Sequence, residues 1–327
     1  MRRSSVIQSV AAVAISSGAL YIFFRGTDPK NLLHELSSLS APTIFACAAL
    51  SIISMIFRSL RWRLLLPDAP GTHKRNLFSH TIIGFMVNNI VPARVGEAAR
   101  ILLLWKKNSY PLATSAGSLV LERALDVLVF LPMFALPVIF LPRLRGLLVF
   151  GWLVMGIFVM GVLLLAICGF YPGIIPFITK RLSFMLPKRF HVRLEDIGRD
   201  ISLVLYWIKL PIPALLVIVL SIAVWLSASF SVVLLAGKFS SFGILEGMFV
   251  ISFAVVGCAI PLSPGFIGTL HAAVLQSLVL LGLDPEAGRA LAVLVHATGY
   301  IPVTVVGFIY FLRADLSFRE ISKPRSC

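Results

Sequence analysis

The chain has 327 residues, 58% of them hydrophobic and 13% charged, with a mean hydropathy of +0.96. Soluble domains carry roughly 25% charged residues, so the polar surface that would wrap a water-soluble core of this size is missing. The net charge of +15 would suit a nucleic-acid binder, but the Lys and Arg fall mainly between apolar runs of bilayer-spanning length. That placement excludes nucleic acid as the partner and points to membrane loops and anionic lipid.

A basic start, Met1-Arg2-Arg3, leads into an apolar run ending at Phe24 without a small-residue cleavage site. It reads as an uncleaved first span, 5–24, rather than a signal peptide. Further full spans are predicted at 42–62, 119–141, 147–170, 212–236 and 288–312. Two other apolar regions are interrupted. Residues 77–104 contain Asn88-Asn89 and Pro92-Ala93-Arg94-Val95-Gly96-Glu97, and residues 242–283 contain Pro261-Leu262-Ser263-Pro264-Gly265. Proline removes a helix donor, and lipid cannot satisfy the freed backbone groups. Both regions are therefore read as re-entrant helical hairpins whose tips meet inside the protein.

The fold class expected is an all-α polytopic membrane protein, with six full transmembrane helices, two re-entrant hairpins and both ends in the cytoplasm. Inside segments then hold 20 of the 29 Lys and Arg, Arg58 and Arg61 among them, against six outside, as the positive-inside bias requires. Hairpins entering from opposite faces give an inverted-topology repeat with a midplane site. The whole chain, 1–327, reads as one transmembrane domain. Its first half is 1–179, its second half is 212–327, and a basic cytoplasmic linker, 180–211, joins them. The linker is either a surface amphipathic helix or a solvated loop.

Ionisable residues inside a membrane cost roughly 2.5–3.5 kcal/mol each on insertion scales, so they face a cavity or pair with each other. Arg94, Glu97 and Arg100 lie three apart, near one helical face after Pro92. With the free N–H groups of a helix start they form a candidate anion site; the alternative is a structural Arg–Glu pair. Glu122, Arg123 and Asp126 open the span 119–141. The two carboxylates repel and need a cation, which Arg94 or Arg100 can supply; an interfacial position is the alternative. In the second hairpin, Ser263 and Pro264 read as a helix cap and first residue, followed by Gly265, Gly268 and, two turns in, His271. His296 and Tyr300 lie four apart on the last span. The cysteines Cys47, Cys168, Cys258 and Cys327 lack metal-ligand or CxxC spacing, and P-loop, HExxH and GxSxG motifs are absent. No metal, cofactor or catalytic residue is expected.

The segment Gly84-Phe85…Asn88-Asn89…Pro92-Ala93-Arg94-Val95-Gly96-Glu97…Arg100 resembles a motif of the lysylphosphatidylglycerol synthase transmembrane-region family, the flippase-like or UPF0104-type membrane proteins. Glu122-Arg123…Asp126, Pro264-Gly265-Phe266-Ile267-Gly268, Tyr300-Ile301-Pro302 and Arg58…Arg61-Trp62…Leu65 are similar to the family's other short motifs, in the same order. The resemblance implies a lipid translocase in a bacterial plasma membrane, without its own ATPase and without a soluble synthase domain. Its substrate would be an anionic or aminoacylated phospholipid, a hopanoid or a polyprenyl-linked lipid, and a lipid-synthesis enzyme is an expected partner. A transferase acting on a lipid-linked substrate and a non-transporting scaffold are the competing readings. Two positions depart from the family pattern: His271 stands where Glu is common, and His296 where Arg is common. If the family residues pair, an ion pair has become a titratable histidine pair here.

Overall fold

The structure, a computed structural model of the chain, describes residues 39–314 apart from 69, 92–93, 172, 184–201, 203–204 and 260–263, together with 18, 21, 30 and 202. The first span predicted at 5–24, most of the 180–211 linker, Pro92 and Ser263 lie outside the described residues. Among the described residues the chain is helical, without strands. Five helices are long and apolar enough to cross a bilayer. These are α1 (Ala41–Leu65), α4 (Leu112–Phe140), α5 (Leu148–Phe170, preceded by a 3₁₀ turn Pro142–Leu147), α7 (Pro211–Ala236) and α10 (Pro285–Arg313). The chain is a multi-pass membrane protein.

The two interrupted regions form paired short helices. The first pair is α2 (Leu77–Ile90) and α3 (Val95–Asn108); the second is α8 (Ile244–Ala259) and α9 (Thr269–Leu280). At 1.5 Å per residue these 12- to 16-residue helices reach about 18–24 Å, short of the ~30 Å apolar core. Glycine lets the first pair close tightly. A Cβ on Gly96 would overlap the Gly84 carbonyl, and one on Gly84 would meet the stem of Arg100. A further helix, α6 (Ile174–Ser183), is too short to cross.

The helix packing repeats. Each half runs long helix, short pair, long helix: α1, α2–α3, α4, then α7, α8–α9, α10. Exchanging the halves maps the contacts onto themselves. The first hairpin packs on the last helix through α2 and α10, and the second packs on α4 through α8. The pairs α1–α10 and α4–α7, α1–α2 and α7–α8, and α3–α4 and α9–α10 correspond in the same way, while α1 against α7 forms the shared axis. The contacts thus have the pattern of an internal repeat. The largest apolar core lies in the second half and joins α7, α8, α9 and α10 to α4. α5 stands at the edge, its large apolar side chains mostly exposed to where lipid lies.

Three sequence expectations need correction. α4 begins at Leu112, ahead of the expected 119, so Glu122 and Asp126 sit well inside the helix and are buried. Arg58 and Arg61 are not loop charges: both lie within α1 and are buried against α4, paired with Asp126. In the second hairpin Pro264–Phe266 form a 3₁₀ turn, and α9 starts only at Thr269. Gly265 (φ 61), Phe266 (φ 58) and Gly268 (φ 93) take left-handed backbone there, which a continuing right-handed helix cannot contain. His271 therefore lies in the first turn of α9, not two turns in.

Candidate functional site

Four guanidiniums and two carboxylates meet between α1, α3 and α4. Arg100 of α3 forks onto Glu122, with Nη1–Oε1 at 3.0 Å and Nη2–Oε2 at 2.8 Å. Glu122 also accepts from Arg123 at 2.6 Å. Asp126 accepts from Arg61 at 2.8 Å and from Arg58 at 3.1 Å, with Arg123 at 3.2 Å. The spacing explains the meeting. Arg58 and Arg61, three apart on α1, share one face, as do Glu122 and Asp126, four apart on α4. Two of the four are also held flat: Arg100 lies 4.2 Å over the Trp62 ring, and Arg58 about 5 Å from both Phe85 and Trp225. Trp225 donates to Asp126 at 3.3 Å, and Arg61 donates to Ser221 at 3.2 Å. Glu97, half-exposed, adds a third carboxylate 4.0 Å from Arg123. The fully buried Glu122 is stable as an anion only because these cations surround it.

The hairpin tips meet as the sequence suggested. Arg94 occupies the cap of α3 with left-handed backbone (φ 54). Its Nη2 donates to the Cys258 carbonyl at the end of α8, 3.0 Å away. Asn88 Oδ1 accepts from the Gly96 N–H at 2.7 Å and so caps α3 from its own hairpin. Asn89 donates to Thr304 at 2.8 Å, and the Tyr300 hydroxyl donates back to the Asn89 carbonyl at 3.2 Å. Gly265 lies where a side chain would strike the Tyr300 ring.

His271 and His296 do pair. The Gly268 N–H donates to His271 Nδ1 at 3.3 Å, so neutral His271 carries its proton on Nε2. That nitrogen faces His296 Nδ1 at 3.2 Å, which places the His296 proton on Nε2. The His296 Nε2 is buried with no acceptor in hydrogen-bonding geometry; the Gly265 backbone is its polar neighbour. The first half holds the counterpart. Glu97 is the third residue of α3 and Arg123 the twelfth of α4; His271 is the third of α9 and His296 the twelfth of α10. The Glu97–Arg123 contact and the histidine pair thus occupy equivalent places in the two halves.

Between α1, α7, α8 and α10 lies a cavity of about 190 Å³. Five hydroxyl residues, Ser51, Ser54, Ser227, Ser231 and Thr298, line it, and Arg58 is the one charged residue among its described lining. The ion cluster thus presents one guanidinium to the cavity. Pro302 sits inside α10 and lacks the N–H that would otherwise pair with the Thr298 carbonyl.

Of the residues singled out from sequence, the structure brings Arg100, Glu122, Arg123, Asp126 and Glu97 together. It gathers Asn88, Asn89, Arg94, Gly96, Gly265 and Tyr300 at the tips, and Gly268, His271 and His296 beside them. Arg94 does not join Arg100 and Glu97, because its left-handed backbone turns it toward the other hairpin. Pro92 and Ser263 lie outside the described residues, and of Pro264 only the backbone is described. Sequence reasoning missed Arg58, Arg61 and the cavity hydroxyls. Two arginines three apart beside Trp62, at the end of an apolar run, were the available signal. Among the described residues no group of His, Cys, Asp and Glu forms a metal-ligand set.

Two comparisons with known proteins bear on this site. The chain is similar to the glycosyltransferase AglD of Haloferax volcanii, 26% identical over 120 residues. The match covers 36% of this chain and 19% of that protein, so the chain spans only a small part of its relative. The model of the lysylphosphatidylglycerol synthase TM region matches residues 9–307, nearly the whole repeat described above, and the chain belongs to that family.

Proposed function

We propose that this protein is a lipid translocase of the bacterial plasma membrane that moves a lipid headgroup through the cavity between its two halves, with no ATPase of its own. The observation that carries this reading is the cavity itself. A chamber whose largely apolar wall carries hydroxyls and one guanidinium, between helices of both halves, suits a headgroup in transit. The hairpins are the elements able to rock, and the Arg94–Cys258 bond is the latch between them. Reconstitution into liposomes with headgroup-labelled phospholipids tests the proposal. Protein-dependent flipping that is lost in Arg94→Ala supports it. Folded protein that flips no phospholipid, neutral lipid or polyprenyl-linked lipid sinks it.

A second reading, a transferase acting on a lipid-linked substrate, draws on the name of the AglD relative. It would need a free base, and Asp126 already accepts from three donors of the cluster. Conversion of a labelled lipid into a new species would favour it; movement without chemistry would not.

A further inference from the structure

We infer that the cavity takes a hydroxyl-rich, uncharged polyol joined to a phosphate: the polyol's hydroxyls donate to Ser51, Ser227, Thr298 and Ser54, and the phosphate meets Arg58. A hydroxyl has one proton and two lone pairs. In each of the four, the proton is already committed to a main-chain carbonyl. Ser51 donates to Ala48 at 2.7 Å, Ser227 to Ala223 at 2.7 Å, Thr298 to Leu294 at 2.8 Å and Ser54 to Val224 at 3.2 Å. What they offer the cavity is lone pairs.

The same protein shows how such oxygens are used. Ser221 donates to Val217 and accepts from Arg61; Ser118 donates to Ser115 and accepts from Trp62; Thr304 donates to Tyr300 and accepts from Asn89. In each case a committed hydroxyl receives an N–H. Four of the five cavity hydroxyls, all but Ser231, repeat the donor half of this pattern and leave the accepting half open, so an occupant that satisfies them must bring donors.

Two classes of headgroup bring donors: ammonium groups and polyols. An ammonium headgroup placed here would sit beside the Arg58 guanidinium. No Asp or Glu is among the described residues that line the cavity, and like charges in a low-dielectric site repel strongly. Sugar, inositol or glycerol hydroxyls bring donors without that cost. The Arg58 guanidinium, which lines the cavity, adds a positive charge suited to a phosphate. This inference names the headgroup for the translocase proposed above, but it is a statement about binding and is tested by binding.

Purified protein is titrated with phosphatidylinositol, phosphatidylcholine and water-soluble glycerophosphoinositol, with bound lipid read by native mass spectrometry. The variant Ser51→Ala/Ser227→Ala/Thr298→Val runs beside the wild type. These three hydroxyls bond only within their own helices, so the variant is expected to keep its thermal unfolding temperature. Phosphatidylinositol binding is expected to exceed phosphatidylcholine binding and to fall at least about tenfold in the variant, three hydrogen bonds being removed. Glycerophosphoinositol binding as tight as the lipid would support the chemistry with a soluble polyol phosphate as its source. Equal or tighter binding of phosphatidylcholine, or an affinity unchanged in the folded variant, overturns the inference. Binding without flipping in liposomes would reject the translocase and leave the headgroup assignment intact.

Discussion

The ion cluster and the cavity lie side by side and share Arg58, yet they treat polar groups in opposite ways. In the cluster the Glu122 and Asp126 oxygens are all engaged, and among the buried arginine atoms only the Nε of each is left without a hydrogen-bond partner. Glu122 and Asp126 together accept from four arginines and an indole, and Arg58 and Arg100 are stacked on aromatic rings. In the cavity four of the five hydroxyls are satisfied only on the donor side. A closed network fixes a geometry; an open one waits for a ligand. Charge within a membrane therefore does not by itself mark a binding site. In this protein most of the charge holds α1, α3 and α4 together, and the weaker polar groups face the space a substrate would use.

The largest break of this contrast should come from Glu122→Ala. It leaves Arg100, Arg61 and Arg123 buried with one carboxylate fewer, and stability should fall by roughly 3–5 kcal/mol. A large drop in unfolding temperature in detergent, or loss of monodisperse protein, is the expected readout; an unchanged temperature would mean the cluster is not structural. Next is Gly96→Ala, which forces α2 and α3 apart at the Gly84 carbonyl. Overpacking of this kind costs roughly 1–3 kcal/mol, measured in the same way.

The histidine pair sharpens the comparison. If His271 and His296 replace an ion pair, His271→Glu combined with His296→Arg should fold better than either single change. A coupling of roughly 0.5–3 kcal/mol is expected in the double-mutant cycle, and additive single effects would dissolve the equivalence with Glu97–Arg123. The pair also admits a pH test. Two protonated rings would set N–H against N–H and lose the 3.2 Å bond, so transport should depend on pH in the wild type and lose that dependence in His271→Gln/His296→Gln. An unchanged profile in the variant removes protons from the account. The smallest effect on stability belongs to the cavity: Thr298→Val should change it by less than about 0.5 kcal/mol while weakening headgroup binding.

The sequence made the architecture legible because a membrane constrains it so tightly. Runs of apolar residues had to be helices, and Pro and Gly within two of them had to be buried turns. Charge in an apolar run picked out Arg100, Glu122 and Asp126 for the same reason. Arg58 and Arg61 were misread because a basic residue near the end of a span looks like a loop residue, and only the packing of α1 against α4, with Asp126 as partner, buries them. The departure of Arg94 from Arg100 was not legible either. It depends on left-handed backbone at a non-glycine residue, which helical spacing does not anticipate. The cavity hydroxyls were invisible, since serine in an apolar helix bonds to its own backbone in most settings and only the packing of α1, α7 and α10 brings five of them together.

The most direct test fills the cavity. Gly299 lines it, and a Cβ built there meets nothing within 4 Å, so the backbone has room for a side chain to leave it. Gly299→Trp should therefore fold as the wild type does while occupying the proposed path. In liposomes carrying headgroup-labelled lipid, the account predicts protein-dependent flipping by the wild type and its loss in Gly299→Trp. Equal flipping by the two proteins would mean that lipid takes another route and would contradict the account.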